Sequence, residues 1–361
     1  MIKKKVSNPK DGERGMIVIL MAVAIVALIG AGSLAVDIGS ALVTKSELQN
    51  VADASSLAAT RELAIVYKEK TAINPNLDLS TVSIEGDLAR IQAKALAFAA
   101  ANKAGGLSIN VGTGDIVTAT YDVETGAIKP ATAGVRAVKV TGRRDDTQNG
   151  QIQTALSRVL GINQLAVTAE STAAISALGS LRSGMGEFPI GLDEDWFKTH
   201  NCASPENVVL YPTSPGSCAG WHTFDSKPSS ASKLKTIVKG IEHGTFQSPV
   251  TIADKTVYQF VGGTITSAMD DLVELWDQKK SGSPPTWTVN VPVYASNGCV
   301  NVQGPNLIVG FAKFKVTQVK KNPDGAIDGD VECGIFDGNE VGDGGGPNDF
   351  GALVGTPGMI N

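Results

Sequence analysis

The sequence lacks most of the residues on which enzyme mechanisms depend. The first 180 residues contain no cysteine, tryptophan or histidine, and the chain has only three histidines, all between residues 200 and 243. It has no Gly-x-Ser-x-Gly elbow, no His-Glu-x-x-His pair and no phosphate-binding loop ending in Gly-Lys-Ser or Gly-Lys-Thr. These absences predict a chain that is not an enzyme and has neither catalytic residues nor a cofactor. A hydrolase without such a motif stays open.

Basic charge and aromatic residues are also scarce. The net charge of −5 and the pI of about 5.4 argue against nucleic acid as a partner. Only Tyr67, Phe98 and Tyr121 of the chain's aromatic residues precede residue 180, and the later half is rich in glycine, proline and aromatics. This shift predicts an external α+β module over 37–178, a linker over 179–191, a β-rich domain over 192–335 and an acidic, glycine-rich tail over 336–361.

One long stretch is without charge, proline or amide side chains, and it runs from Met16 to Val36. About 20 apolar residues in a helix cross the hydrocarbon core of a bilayer, so we predict a single transmembrane helix over 16–36, with the lipid bilayer as partner. The tail over 1–15 has five basic residues against two acidic ones, namely Lys3, Lys4, Lys5, Lys10 and Arg14 against Asp11 and Glu13. The positive-inside bias therefore places the N-terminus in the cytoplasm and the bulk of the chain outside.

Two other interpretations of this segment are weaker. A cleaved signal peptide fits the basic tail and the small residues Ala31 and Ser33, but its apolar region is usually about 7–15 residues long. A type IV prepilin leader fits Gly15 followed by Met16, but Leu20 stands where that signal has glutamate.

Helical spacing continues beyond the span, and strand patterns appear later. We predict one rod from Met16 to Tyr67, whose small residues Ala52, Ser55, Ala58 and Ala59 would allow a partner surface to approach closely. Further helices are expected over 87–103, 151–160, 230–242 and 266–279, the last with an apolar stripe of Met269, Leu272, Val273 and Trp276. Strands are expected over 116–121, 135–141, 165–176, 207–211, 256–260, 286–294 and 306–320. The fold class is α+β: a long N-terminal helix packed on a small antiparallel sheet, plus a second, disulfide-stapled β-rich domain.

The cysteines form an even set on the predicted external side: Cys202, Cys218, Cys299 and Cys333. An oxidising compartment favours two disulfides, and of the three pairings we favour the local one, 202 with 218 and 299 with 333. A zinc site of His200, Cys202, Cys218 and His222 is the less favoured alternative. Asp324, Asp328, Asp330 and Glu332 could hold calcium, but their spacing is not that of an EF-hand, and a solvated acidic turn is favoured. We therefore expect no metal.

The junction of the span and the rod resembles a known family. Arg14-Gly15 precedes the apolar run, Asp37 and Gly39 follow it, and Leu48-Gln49 with Ala52-Asp53-Ala54 complete a Leu-Gln-x-x-Ala-Asp-Ala pattern. This combination resembles the N-terminal signature of TadG-like (TadE/TadG-like) Flp pilus-assembly proteins. The match is close over about 50 residues and looser as far as about residue 178.

That resemblance implies a non-enzymatic envelope component of the tight-adherence secretion system, which builds Flp pili for adhesion. The implied location is the bacterial cytoplasmic (inner) membrane, and the implied partners are other pilus-assembly subunits that contact the membrane helix and rod. Some members contain a von Willebrand A domain with an Asp-x-Ser-x-Ser metal motif, which this chain lacks. The alternative function is a membrane-anchored adhesin or ligand-binding protein. Trp196, Trp221, Trp276 and Trp287 could line its binding surface, although most of them are expected in the core.

Overall fold

The computed structural model describes residues 10–74, 77–123, 125–155, 157–199, 208–210, 218–228, 230–261, 266–295, 298–299, 302–321 and 325–360. Its helices are α1 (Lys10–Ile73), α2 (Leu88–Ala101), α3 (Glu194–Thr199), α4 (Ala231–Glu242), α5 (Thr266–Lys279) and α6 (Gly338–Val341). Short 3-10 turns occupy Glu85–Asp87, Thr113–Asp115 and Ser157–Leu160. The strands are β1 (Lys103–Ala104), β2 (Leu107–Ser108), β3 (Ile116–Tyr121), β4 (Ile128–Pro130), β5 (Ala137–Arg144), β6 (Ile152–Gln153), β7 (Gln164–Leu165), β8 (Val167–Ala177), β9 (Ser180–Leu181), β10 (Ile190–Asp193), β11 (Val208–Leu210), β12 (Ala219–His222), β13 (Thr251–Ile252), β14 (Val257–Val261), β15 (Trp287–Tyr294), β16 (Gly304–Val319), β17 (Ile327–Glu332), β18 (Gly334–Phe336) and β19 (Ala352–Ile360).

The predicted rod is confirmed as the single helix α1, which is 64 residues long. At 1.5 Å per residue it extends over about 96 Å. It contains no proline, and its last backbone contact is the Asn74 N–H, which donates to the Lys70 carbonyl at 3.0 Å. Asn74 precedes Pro75, and a residue before proline is biased away from helical backbone angles. The local sequence therefore ends the helix where it is observed to end. Pro75 and Asn76 of the predicted break lie outside the described residues.

The chain divides into two compact units. Unit 1 comprises Met1–Ser55, Ala95–Ile116 and Val140–Ser171, and unit 2 comprises Ser56–Lys94, Val117–Lys139 and Thr172–Asn361. Within unit 1, β5 approaches α1 closely, because a Cβ added at Gly142 would meet Leu48 Cδ2 at 3.2 Å. Within unit 2, the hydroxyl groups of Thr60 and Tyr67 donate to the carbonyls of Ala173 and Val135 at 3.1 and 2.7 Å. The domain boundaries predicted from composition stay predictions.

A six-stranded sheet has the order β18-β19-β8-β5-β3-β4. The strand predictions for β3 and β8 are confirmed, and β5 lies beside β3 as expected, although the turn after Tyr121 leads first into β4. The sheet also corrects the expected flexibility of the acidic tail. Its last part, β19, pairs antiparallel with β8, and Leu353 and Val354 are buried there. The residues of β19 include no acidic side chain, so they can enter a sheet although the segment before them is acidic.

A second sheet, within unit 2, closes on itself. Its order is β11-β17-β16-β14-β12-β10-β15, and β16 pairs with β15 as well, so five of the strands form a ring. The 16-residue length of β16 permits this, since β14 pairs with its first residues and β15 with the following ones. Helices α4 and α5 contribute to the same core, and the predicted stripe of α5 is confirmed because all four of its members are buried. Ser230, as expected from its type, caps α4 by accepting the Lys233 N–H at 3.3 Å.

Gly134 is a position where only glycine fits, which gives a first prediction. Its φ is +61°, and an added Cβ would lie 2.2 Å from the Ser80 carbonyl oxygen, also in unit 2. We expect Gly134→Ala to destabilise unit 2 by about 2 kcal/mol, because backbone atoms would have to move. Denaturant unfolding of the full chain in detergent measures this effect. Gly126→Ala is the control, because it has a similar φ of +69° with no neighbouring atom within 4 Å, and an equal loss in both variants would contradict the steric explanation.

Candidate functional site: the two faces of the long helix

The first part of α1 exposes a continuous apolar surface. The large side chains from Met16 to Ile29 are between 53 and 71% exposed. Among the described residues, α1 is the one helix long and apolar enough to cross a membrane, and it lies near the N-terminus. A folded protein in water does not leave such a surface bare, so it indicates a membrane anchor.

Asp37 follows the apolar run, and its carboxylate is turned inward. The side chain is 5% exposed and accepts the backbone N–H groups of Ala155 at 2.8 Å and Ser157 at 2.6 Å, all within unit 1. These bonds correct the prediction of a helix over 151–160, where the structure has β6 and a 3-10 turn instead. Two N–H groups that would serve an α-helix donate to Asp37. Asp37 therefore fixes a loop of unit 1 against the helix.

The other signature residues also have structural contacts. Leu48 and Ala52 are fully buried, whereas Asp53 and Ala54 are half-buried and Gly39 is exposed. The Gln49 side-chain amide donates to the Asp53 carboxylate at 2.8 Å and to the Glu170 carbonyl at 2.9 Å, both in unit 1. Arg14 and Gly15 belong to the first turns of α1, and their surroundings lie outside what the structure describes. The signature thus combines membrane and packing positions rather than a cluster of reactive groups.

The small-residue face of the rod is not free for a partner. Ala52, Ser55 and Ala59 are fully buried within the chain itself, and Ala58 is half-buried. Glu62, one turn further along, is buried as well, and it accepts from Arg90 of α2 at 2.5 Å inside unit 2. The close approach that these residues permit is therefore intramolecular. This result corrects the expectation that another subunit packs on them.

The predicted disulfide pairing is wrong. Cys218 is bonded to Cys299, which is 81 residues away, and Cys333 is disulfide-bonded as well. The sheet explains the long-range pairing: β10 lies antiparallel to β12 and parallel to β15, so the residues before β12 and after β15 reach the same end of the sheet. Cys202 and His200 lie outside the described residues. The proposed zinc set is incomplete, because the Cys218 sulfur is not a thiolate.

His222, the other zinc candidate, belongs to an aromatic core. Its ring stacks on Tyr258 at 4.8 Å and meets Phe224 edge-on at 4.4 Å between ring centroids. Burial, weakly opposed by the backbone at Phe188, lowers the pKa of His222 to about 3. A neutral, fully buried imidazole at this position contributes to packing and is not accessible to substrate.

The remaining candidates are also structural. All four tryptophans are at most 9% exposed, so they belong to the core, as expected for most of them, and do not line a binding surface. Asp328, Asp330 and Glu332 lie in strand β17, where Asp328 pairs with Lys320 at 2.7 Å, and Asp324 lies outside the described residues. No cluster of three metal-ligating side chains occurs among the residues that the structure describes. We call the contact of the Asp37 carboxylate with the N–H groups of Ala155 and Ser157 the Asp37 clamp. The sequence signal for it was a lone charge beside an apolar run, but no residue near Asp37 in the sequence identified the loop that it binds.

The Asp37 clamp gives a second prediction. We expect Asp37→Ala to increase hydrogen exchange at residues 153–160 and to cost about 2–4 kcal/mol of stability in unit 1, because two N–H groups lose a charged acceptor. Asp37→Asn, which keeps one acceptor oxygen, should fall between Ala and wild type. Exchange is measured by mass spectrometry on the full chain in lipid nanodiscs. The exposed Asp146→Ala is the control, and unchanged exchange in Asp37→Ala would contradict the clamp.

Residues 15–62 match the family model "Putative Flp pilus-assembly TadE/G-like" (Tad). The matched segment begins before the apolar run and ends at Glu62, so it includes Asp37 and the Leu48 to Ala54 positions. The resemblance predicted from the N-terminal signature is therefore confirmed for this region. No curated protein and no solved structure matches the chain.

Proposed function

We propose, from the TadE/G-like match over residues 15–62, that the chain is a membrane-anchored, non-enzymatic component of the machinery that assembles Flp pili. The observation on which the proposal depends is the agreement between the matched segment and α1. One part of that helix exposes apolar side chains continuously, and the next part buries Asp37, Leu48 and Ala52 of the signature in the chain's own fold. Such a helix joins a membrane anchor rigidly to a folded body.

The proposal also includes the orientation of the chain in the membrane and the compartment of its folded part. The basic tail before Met16 favours a cytoplasmic N-terminus in the inner membrane, and disulfides favour an oxidising compartment for the bulk of the chain. Protease added to spheroplasts should therefore degrade the part after Asp37 and leave a small N-terminal fragment. Complete protection of the chain in intact spheroplasts would contradict this orientation and place the bulk of the chain in the cytoplasm.

A non-enzymatic role is supported by the nature of the buried polar groups. His222 stacks among aromatic rings, and Asp37 is bound by backbone N–H groups, so neither is presented to a substrate. Because the small-residue face of the rod is buried within the chain, other assembly subunits would contact other surfaces. The adhesin alternative loses its main support, since the tryptophans are buried.

Surface piliation tests the function. Deleting the gene should abolish Flp pili seen by electron microscopy, and the wild-type chain should restore them. A chain with Leu20→Arg and Ile25→Arg should fail to restore them, because each central charge costs about 2.5–3.5 kcal/mol of membrane insertion. The control is Ser46→Arg, an exposed site outside the apolar run. Normal piliation in the deletion strain would refute the proposal.

A further inference from the structure

The exposed apolar surface of α1 does not end where the predicted span ends. Beyond Val36, the side chains of Ile38, Leu42 and Val43 are 45, 62 and 59% exposed. Asp37 is the only charged residue between Met16 and Val43, and it is buried. The first exposed charge is Lys45. The bare apolar surface is therefore longer than the 21-residue run that defines the span.

The length of this surface fits a whole bilayer better than its hydrocarbon core. From Met16 to Val43 the helix rises about 42 Å at 1.5 Å per residue. The hydrocarbon core is about 30 Å thick, and the bilayer with its interfacial regions is about 40–45 Å thick. The last two to three turns of the surface would therefore lie at the level of the lipid headgroups and upper acyl chains.

The opposite face of the same turns is covered by protein. Ser33, Asp37, Thr44 and Leu48 follow helical spacing and are all buried. The polar members of this face are satisfied there: Ser33 donates to the Ile29 carbonyl at 2.6 Å, Thr44 donates to the Ser40 carbonyl at 3.0 Å, and Asp37 accepts two N–H groups. Covering one face while leaving the other bare is expected of a helix that lies between a folded body and lipid.

The width of the bare face favours lipid over a partner helix. At about 100° per residue, Leu34, Ile38, Leu42, Val43 and Val36 extend around roughly 200° of the helix, whereas a seam against one partner helix needs only about 100°. Large side chains dominate it, whereas helices in membranes usually pair through small ones. Ser40, the one exposed polar side chain of residues 34–43, suits the hydrated headgroup region.

We propose that the bare face from Leu34 to Val43 is embedded in the membrane interface, so that the segments of unit 1 packed on these turns lie at the bilayer surface. The occupant of this face is lipid. The loop that binds Asp37 is fixed beside these turns, and the exposed Ile162 follows it, so the proposal places this loop at the level of the headgroups too. This inference rests on the proposed membrane anchoring and adds to it the depth of insertion and the part of the fold that contacts lipid.

Depth-dependent quenching tests the inference in the full chain. Leu42→Cys carries an environment-sensitive fluorophore, with Leu28→Cys as the marker of the span and Ser46→Cys as the aqueous control; all three sites are exposed. The proteins keep their disulfides and are reconstituted in phospholipid vesicles. A spin label near the headgroups should quench the Leu42→Cys probe at least about twofold more strongly than iodide does, as an interfacial position requires. A spin label near the chain ends should quench Leu28→Cys, and iodide should quench Ser46→Cys.

The outcomes separate the two proposals. If iodide quenches Leu42→Cys as strongly as Ser46→Cys while Leu28→Cys stays lipid-quenched, the chain is anchored and the embedding is refuted. If no lipid label quenches Leu28→Cys, the anchoring within the proposed function fails as well. If Leu42→Cys is shielded from both quenchers and crosslinks to a second copy as the protein-to-lipid ratio rises, the occupant is protein and the inference is overturned. Unchanged far-UV circular dichroism and unchanged hydrogen exchange at residues 153–160 of unit 1 verify that each variant is folded.

Discussion

Lowering the pH from 6.5 to about 4 should reduce the unfolding free energy of unit 2 by about 3 kcal/mol through His222 alone. Burial lowers the pKa of His222 to about 3, well below its ordinary value of 6.5. Between pH 6.5 and 4, His222 therefore binds a proton in the unfolded chain but stays neutral in the folded chain. The contribution of His222 to stability is fully present above pH 6.5 and falls as the pH drops towards 3, with a slope of at most about 1.4 kcal/mol per pH unit.

The surroundings of His222 explain why the folded state excludes the proton. The side chain is fully buried, and its ring lies among Phe224, Tyr258 and Phe260, with centroid distances of 4.4, 4.8 and 5.7 Å. None of these neighbours offers a negative charge to an imidazolium. Tyr258 is itself buried, its hydroxyl group contacts Thr251, and its pKa is raised to about 12, so it stays neutral throughout.

The experiment compares slopes rather than absolute stabilities. Tryptophan fluorescence reports on unit 2 alone, because all four tryptophans belong to it and are buried. His222→Phe should unfold with a weaker dependence on pH than wild type between pH 6.5 and 4, whatever its stability at neutral pH. His243→Gln, at the exposed end of α4, is the matched control and should keep the wild-type slope. If the unfolding free energies of wild type and His222→Phe had equal slopes against pH, the folded state would bind a proton at His222 without loss of stability, and the prediction would be wrong.

Local signals predicted the longer helices and strands well. The ends of α5 and of β3 agree with expectation, since the residue pattern along the chain changes at each boundary. The rod was predicted equally well, because apolar and small residues recur at helical spacing and no proline interrupts its 64 residues. These features depend on residues within a few positions of one another.

Features that depend on distant residues were missed. The helix expected over 151–160 fails because Asp37, more than 100 residues away, takes two of its N–H groups. Strand β19 was missed because acidic and glycine-rich neighbours dominate the composition of the last 26 residues, although β19 itself has no charge. The cysteine pairing depends on strand order within a closed sheet, which periodicity along the chain does not encode.

Removing the Cys218–Cys299 disulfide should destabilise unit 2 by about 4 kcal/mol. The bond closes a loop across 81 positions, and in the chain-entropy account the stabilisation grows with the logarithm of loop length. Both cysteines are also partly buried against the core that contains Trp221, so a double alanine variant keeps the apolar character of the site. The expected result is a lower denaturant midpoint for Cys218→Ala with Cys299→Ala, measured by tryptophan fluorescence without reductant.

The observed pairing of Cys218 with Cys299 predicts which elements loosen when the bond is lost, and these differ from the ones that a bond between 202 and 218 would constrain. A bond between 202 and 218 would enclose about 15 residues and stabilise by about 3 kcal/mol, without constraining β14, α5 or β15. The observed bond ties the start of β12 to the residues after β15, so its loss should loosen those elements together. Hydrogen exchange in the double variant should therefore increase in β14 and β15 and stay unchanged in β6 of unit 1, which is the internal control. An increase confined to residues near 218, or an unchanged midpoint, would contradict the long-range constraint.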